Sequence, residues 1–207
     1  MRTSDRASVL VLSLLLTTVS CALAPTPVVE ESPRPIFQVD PNPPTEVVRA
    51  EAAEIARFLG ERETGLMPAE VAHLSRVIAI EAHRAGLPPA FVLAVIEVES
   101  GGRNFAVSTA GARGLMQLLP STGESVAAQI GVSWRGPNTL FDPAANVRLG
   151  VSYLAGMIER YANVRTALAA YNWGPGQITA RVRRGEAVPR GYPDRVLAAY
   201  AGTGRET

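Results

Sequence analysis

Beyond Thr45, apolar residues recur at helical rather than strand spacing along most of the chain. From Thr45 to Leu59, Val48, Ala52, Ile55 and Leu59 share one stripe while Glu51, Glu54 and Arg57 fall off it, which predicts an amphipathic helix. Pro68 to Ala85 predicts a second helix, opened by a proline in the first turn and closed by Gly86. Pro88-Pro89 opens a third, Ala90 to Glu99, which is apolar on nearly every side and therefore belongs in the middle of a protein.

Glycines punctuate the next stretch, at 101, 102, 111 and 114, and Gly102 to Gly114 has room for a small hairpin. Leu115 to Leu119 reads as a short helical turn stopped by Pro120. Ser121, with Glu124 three residues on, has the spacing of a capping box and starts a helix towards Ile130. Asp142-Pro143 reads as a cap and first-turn pair for a longer helix, in which Val147, Val151, Leu154, Ile158 and Tyr161 recur at helical spacing. Shorter helices fit Arg165 to Tyr171, Gln177 to Arg184 and Asp194 to Tyr200. No segment alternates convincingly and no internal repeat is visible, so the fold class is mainly α, with a core running from about Leu66 to the end.

The N-terminal residues read as an address. Arg2 and Arg6 precede a short apolar stretch, Val9 to Val19, which is about half the roughly 20 residues a membrane-spanning helix needs. A secretory signal peptide is the better reading. Thr18-Val19-Ser20-Cys21 resembles a bacterial lipobox, with Thr18 where leucine is usual, and Ala22-Leu23-Ala24 offers a competing cleavage site. The position of the sole cysteine, Cys21, favours lipidation there. Seven prolines between Pro25 and Pro44 predict an extended, semi-rigid tether. The expected organisation is signal peptide with lipobox over residues 1–21, tether over 22–44, a helical stalk or domain extension over 45–65, and a catalytic domain over 66–207.

Composition removes most chemistry before any motif is read. The 207 residues are 47% hydrophobic, enough for one ordinary core. All 20 basic residues are Arg, which excludes lysine Schiff bases and a Walker-type phosphate lysine. One cysteine excludes an internal disulfide and a cysteine-rich zinc site, and His73 and His83 are too far apart for a helical metal pair. No cofactor or metal is therefore expected. A net charge of +1 gives no field for nucleic acid. The charge is unevenly placed: residues 30–99 hold 12 acids against 6 Arg, and residues 145–207 hold 9 Arg against 4 acids. Such a split suits a basic face turned to an anionic polymer or membrane, although a plain solvated surface explains any single Arg.

The third helix carries two acids, Glu97 and Glu99. At about 100° per residue they point to different sides and cannot act as a close pair. Glu99 shares its side with Val92, Val95 and Ile96 and lies in the last turn, where the helix macrodipole is negative. Both circumstances disfavour a carboxylate and raise its pKa, as a general acid requires. A helix-terminal acid turned to solvent is the competing reading. Glu97 is expected to be structural.

The residues that follow carry a resemblance. Glu99-Ser100-Gly101-Gly102, then Ser108-x-x-Gly111-Ala112-x-Gly114-Leu115-Met116-Gln117 and Pro120-Ser121-Thr122, resemble the catalytic region of soluble-type (SLT) lytic transglycosylases, glycoside hydrolase family 23. Asn146-x-x-x-Gly150-x-x-Tyr153-Leu154 and Ala170-Tyr171-Asn172-Trp173-Gly174 are similar to that family's next two blocks, in order. The resemblance covers roughly residues 75–200 and implies a lysozyme-like domain acting on peptidoglycan glycan strands in the periplasm, with outer-membrane attachment if Cys21 is lipidated. It implies Glu99 as the catalytic acid, and Ser108, Met116, Gln117, Tyr171, Asn172 and Tyr192 as cleft residues. Met116 is expected as a pliable apolar wall, and Trp173 as a packing residue. The Glu-Thr pair that relatives often carry before the last tyrosine is missing from Val188-Pro189-Arg190-Gly191-Tyr192-Pro193. The implied reaction yields a 1,6-anhydro sugar through a single acid. Two rivals remain: a hydrolase on the same fold, using Asp142, Asp194 or Glu124 to place a water, and a non-catalytic peptidoglycan-binding lipoprotein.

Overall fold

The computed structural model describes residues 36–203. The signal segment, Cys21 and the first part of the proline-rich stretch lie outside the described residues. Eight α-helices follow one another among those described: α1 (Thr45–Gly60), α2 (Pro68–Arg84), α3 (Pro89–Ser100), α4 (Pro120–Ile130), α5 (Pro143–Tyr161), α6 (Val164–Trp173), α7 (Pro175–Arg183) and α8 (Gly191–Thr203). A single 3-10 turn, Pro137–Phe141, precedes α5 and has no periodic signal in the sequence. Proline at N1 or N2 opens α2, α3, α4, α5 and α7, where its fixed φ suits the helix and its missing N–H is not needed.

The central position of α3 follows from its composition. Phe91 through Ile96 are all buried, and α2 and α8 pack directly against the helix. Around this axis α5 packs on α2, α4 and α6, and α6 packs in turn on α7 and α8. Helix α1 belongs to the same core, because Ile55 and Leu59 are buried in it and α1 lies along α2. Among the described residues no single helix is long and apolar enough to cross a membrane.

Two expectations need correcting here. The Ser121–Glu124 capping box does not form: α4 starts at Pro120 with Leu119 in the N-cap position, so Ser121 already lies inside the first turn. Pro120 therefore opens a helix, besides stopping the turn before it. The stretch expected as a hairpin and a helical turn is instead a glycine-rich loop, held by two isolated antiparallel bridges, Val107 to Arg113 and Arg113 to Leu118. Left-handed backbone at Gly111, Gly114 and Gln117 prevents either regular structure from propagating. The Asp142 cap is present, with its carboxylate accepting the Ala145 N–H at 2.8 Å.

The last residues of the expected tether touch the domain. Phe37 packs against Phe91 with ring centroids 5.0 Å apart and meets the Tyr200 ring edge-on. The buried His83 ring spans two acceptors, the Asp40 carbonyl and the Glu51 carboxylate, each at 2.7 Å. Leu59→Ala should therefore destabilise the whole domain by about 2–5 kcal/mol in a single urea transition. A free stalk would leave the transition in place.

Candidate active site

Glu99 sits in the last turn of α3, which ends where Gly101 takes a left-handed φ of 61°. Its carboxyl faces a cleft of about 380 Å³. One wall is the loop from Ser108 to Leu119, and the other is the junction of α6 and α7 at Asn172 to Pro175. Thr122 of α4 and Tyr153 of α5 line it between these walls. Glu97 points away, accepting a 2.6 Å hydrogen bond from Arg62 Nε, and ties α3 to the end of α1 as a structural residue.

The electrostatics single out Glu99. Burial pushes its pKa up from an ordinary 4.5 to about 7. Two favourable contacts hold it from rising further: the Tyr192 hydroxyl, which donates to Oε1 at 2.6 Å, and the positive charge of Arg195. Tyr192 comes from the start of α8 and is only 4% exposed. Burial raises the Tyr192 and Tyr171 pKa values well above the usual phenol value, so both remain hydroxyl donors near neutrality.

The remaining expected site residues divide into lining and support. Ser108, Gln117, Tyr171 and Asn172 all line the cleft. The Ser108 hydroxyl accepts the Ala112 N–H at 3.1 Å and so shapes the turn it stands on. Gln117 has a positive φ, and its amide nitrogen donates to the Ala106 and Gly114 carbonyls at 3.1 and 2.9 Å, which commits that end of the side chain to the loop. The Tyr171 hydroxyl donates to the Met116 carbonyl at 2.7 Å. Met116 itself is fully buried and forms no wall of the cleft, since its side chain packs on Gly150 beneath the floor. Trp173, expected to pack, is 50% exposed on the rim.

Sequence reasoning quoted Asn146 only as part of a block and missed its role. This buried side chain accepts the Met116 N–H at 2.8 Å and donates to the Arg113 and Leu140 carbonyls at 3.0 and 2.9 Å. Gly114 makes this possible, because a Cβ there would collide with the Asn146 amide and the Leu140 carbonyl. The available signal was an amide, a poor helix former, next to Val147 on the apolar side of α5. The acids that could have placed a water lie elsewhere. Asp142 caps α5, Asp194 pairs with Arg165, and Glu124 is exposed on α4. Among the described residues no group of three or more His, Cys, Asp or Glu side chains could hold a metal ion.

Fold and site together define a lysozyme-like, mainly helical domain built around one desolvated carboxyl. A family model described as "Transglycosylase SLT domain" matches residues 76–190, and the chain belongs to that family. Over 111 residues it is 34% identical to a transglycosylase of Enterobacteria phage PRD1, covering 54% of this chain and 37% of the relative. It is 33% identical over 94 residues to the soluble lytic murein transglycosylase of Escherichia coli K12, covering 44% and 15%. A membrane-bound lytic murein transglycosylase C of Actinobacillus pleuropneumoniae is 35% identical over 107 residues, covering 47% and 29%. The matched part is thus little more than a third of the relatives' length at most. Among solved structures, the 70 kDa soluble lytic transglycosylase of Escherichia coli aligns over 74% of this chain and 30% of its own, with TM-score 0.52 and 25% identity. An inactive mutant of the Pseudomonas aeruginosa enzyme aligns over 82% and 38%, with TM-score 0.55 and 20% identity, a likeness of fold.

Two outcomes follow from the environment of Glu99. Removing the Tyr192 hydroxyl takes a donor from the carboxylate, so Tyr192→Phe should raise the Glu99 midpoint above about 7, read by carboxyl carbon NMR. Between pH 4.5 and about 7 the folded chain keeps a proton that the unfolded chain has released. Its stability therefore falls as pH rises through that window. Glu99→Gln removes this dependence: urea denaturation should show the variant gaining on the wild type up to about pH 7 and holding that gain above it, with no such gain below 4.5.

Proposed function

We propose that the chain is a peptidoglycan lytic transglycosylase, cleaving the β-1,4 bond between N-acetylmuramic acid and N-acetylglucosamine without adding water. The observation that carries this reading is that, among the described residues, Glu99 is the only carboxyl lining the cleft. Hydrolysis with retention or inversion uses two carboxyls flanking the bond, whereas an intramolecular nucleophile needs one.

In this reading Glu99, still protonated near neutrality, gives its proton to the glycosidic oxygen as the bond from C1 to that oxygen breaks. The N-acetylglucosamine side leaves as an alcohol. Positive charge at C1 is sheltered by the carbonyl oxygen of the muramoyl N-acetyl group. Glu99, now a carboxylate, accepts the proton of the muramoyl C6 hydroxyl while that oxygen closes on C1. The ring product is 1,6-anhydromuramic acid and the acid is regenerated. The Tyr192 hydroxyl, 2.6 Å from Oε1, stabilises the carboxylate formed between the two steps.

The N-terminal sequence supports export to the periplasm and, through Cys21, a lipid anchor in the outer membrane. Peptidoglycan strands are then the partner, with the tether holding the domain off the bilayer. Digestion of purified peptidoglycan should yield muropeptides one water lighter than hydrolysis products and inert to borohydride. Glu99→Gln should fold and lose about 10²- to 10⁴-fold in rate. The wild-type rate should fall as pH rises past about 7, where the acid loses its proton. Ordinary reducing ends would mean that water reaches C1, and unimpaired turnover by Glu99→Gln would refute the assignment.

A further inference from the structure

The cleft does not end beyond Tyr153. A second cavity, about 480 Å³, runs between α4 and α5 and shares Thr122, Tyr153 and Pro175 with the first, so the two adjoin and extend the groove along α5. This extension is rich in hydroxyls, from Ser121, Ser125 and Ser152, and among the described residues its only charged lining side chain is that of Arg160. Among the same residues the two cavities together are lined by one carboxyl, Glu99, and one guanidinium.

Arg160 is exposed, and a hydroxyl and an aromatic ring orient it. Its Nη2 donates to the Thr179 hydroxyl at 3.2 Å, and its guanidinium carbon lies 5.6 Å from the centre of the Tyr161 ring. Thr179 is in turn fixed by the Tyr161 hydroxyl at 2.8 Å. Among the described residues no carboxylate forms an ion pair with Arg160. A guanidinium so oriented, with donors to spare, matches the planar fork of a carboxylate.

Along α5, Arg160 lies seven residues beyond Tyr153, about 10 Å further down the groove. That is the span of about two sugar rings. In a strictly alternating polymer, two rings on from one muramoyl unit is the next muramoyl unit, which carries the 3-O-lactyl substituent. We propose that Arg160 binds a carboxylate borne on the lactyl substituent of this second muramoyl unit, so that the groove selects anionic over neutral glycan. This rests on the proposed action on peptidoglycan. The carboxylate has two chemical sources: the lactyl group itself on strands stripped of peptide, or the stem peptide on intact strands.

The test is binding in the full chain carrying Glu99→Gln, with and without Arg160→Gln or Arg160→Lys. Three ligands are compared: peptide-bearing strands, amidase-stripped strands and a neutral oligomer of N-acetylglucosamine. Arg160→Gln should weaken a carboxylate-bearing strand about tenfold relative to the neutral oligomer, the size of one charge-assisted hydrogen bond, with Arg160→Lys in between. Loss on intact strands alone assigns the peptide carboxylate, and loss on stripped strands assigns the lactyl one. An unchanged ratio of anionic to neutral affinity, or no binding of any strand, overturns the proposal. Because binding is read without turnover, a wild type that shows this charge selectivity but makes no anhydro product would refute the reaction and leave the Arg160 site standing.

Discussion

The burial of one carboxyl, Glu99, deep enough to hold its proton towards neutrality while still facing an open cleft, organises the molecule. Glu99 is held there by a helix whose preceding turns are apolar all round, so the axis of the core ends at the floor of the cleft. Burial supplies the upward push on its pKa, and the Tyr192 hydroxyl with the Arg195 charge restrains it. Because Tyr192 arrives on α8, which packs directly on α3, the acid and its restraint are set by one helix contact. The environment of the acid and the packing of the core are therefore a single problem in this fold.

The loop opposite the acid has little regular structure of its own and is held from below. Asn146 satisfies three backbone groups that a buried turn would otherwise leave unpaired, at Met116, Arg113 and Leu140. Tyr171 takes a fourth, the Met116 carbonyl. The lining residues stand on this frame, and two of its members, Gln117 and Tyr171, reach the cleft themselves. Met116 lies underneath, filling the space over Gly150, and Gln117 braces the loop.

Much of this was legible in the sequence. Helical periodicity located α1, α2 and α5 to within a residue or two, because each buries a stripe, and the all-round apolarity of α3 identified its central place. Glu99 could be singled out by its position on an apolar side at a helix end. The errors have physical causes. Pro120 was read as a stop because proline interrupts helices, yet it is as good an opener. Glycine punctuation suits a hairpin over Gly102 to Gly114, but left-handed backbone at Gly111 and Gly114 limits the pairing there to one isolated bridge, and positive φ at Gln117 breaks the helical turn expected after it. The Asn146 network joins residues far apart in the chain, and no local pattern carries such a bond. The end of the proline-rich stretch was assigned by composition alone, which is blind to Phe37 finding a pocket beside Phe91.

The close fit of Gly114, Asn146 and Gly150 has an evolutionary consequence. A side chain at either glycine would meet atoms that the asparagine network has fixed, at Asn146 and Leu140 in one case and Met116 in the other. The effects of substitutions among such neighbours do not add, so the path between alternative floors is blocked one step at a time. A change at one of the three alters what the other two can accept. The exposed rim at Trp173 lies outside this network, so a change there leaves the floor undisturbed.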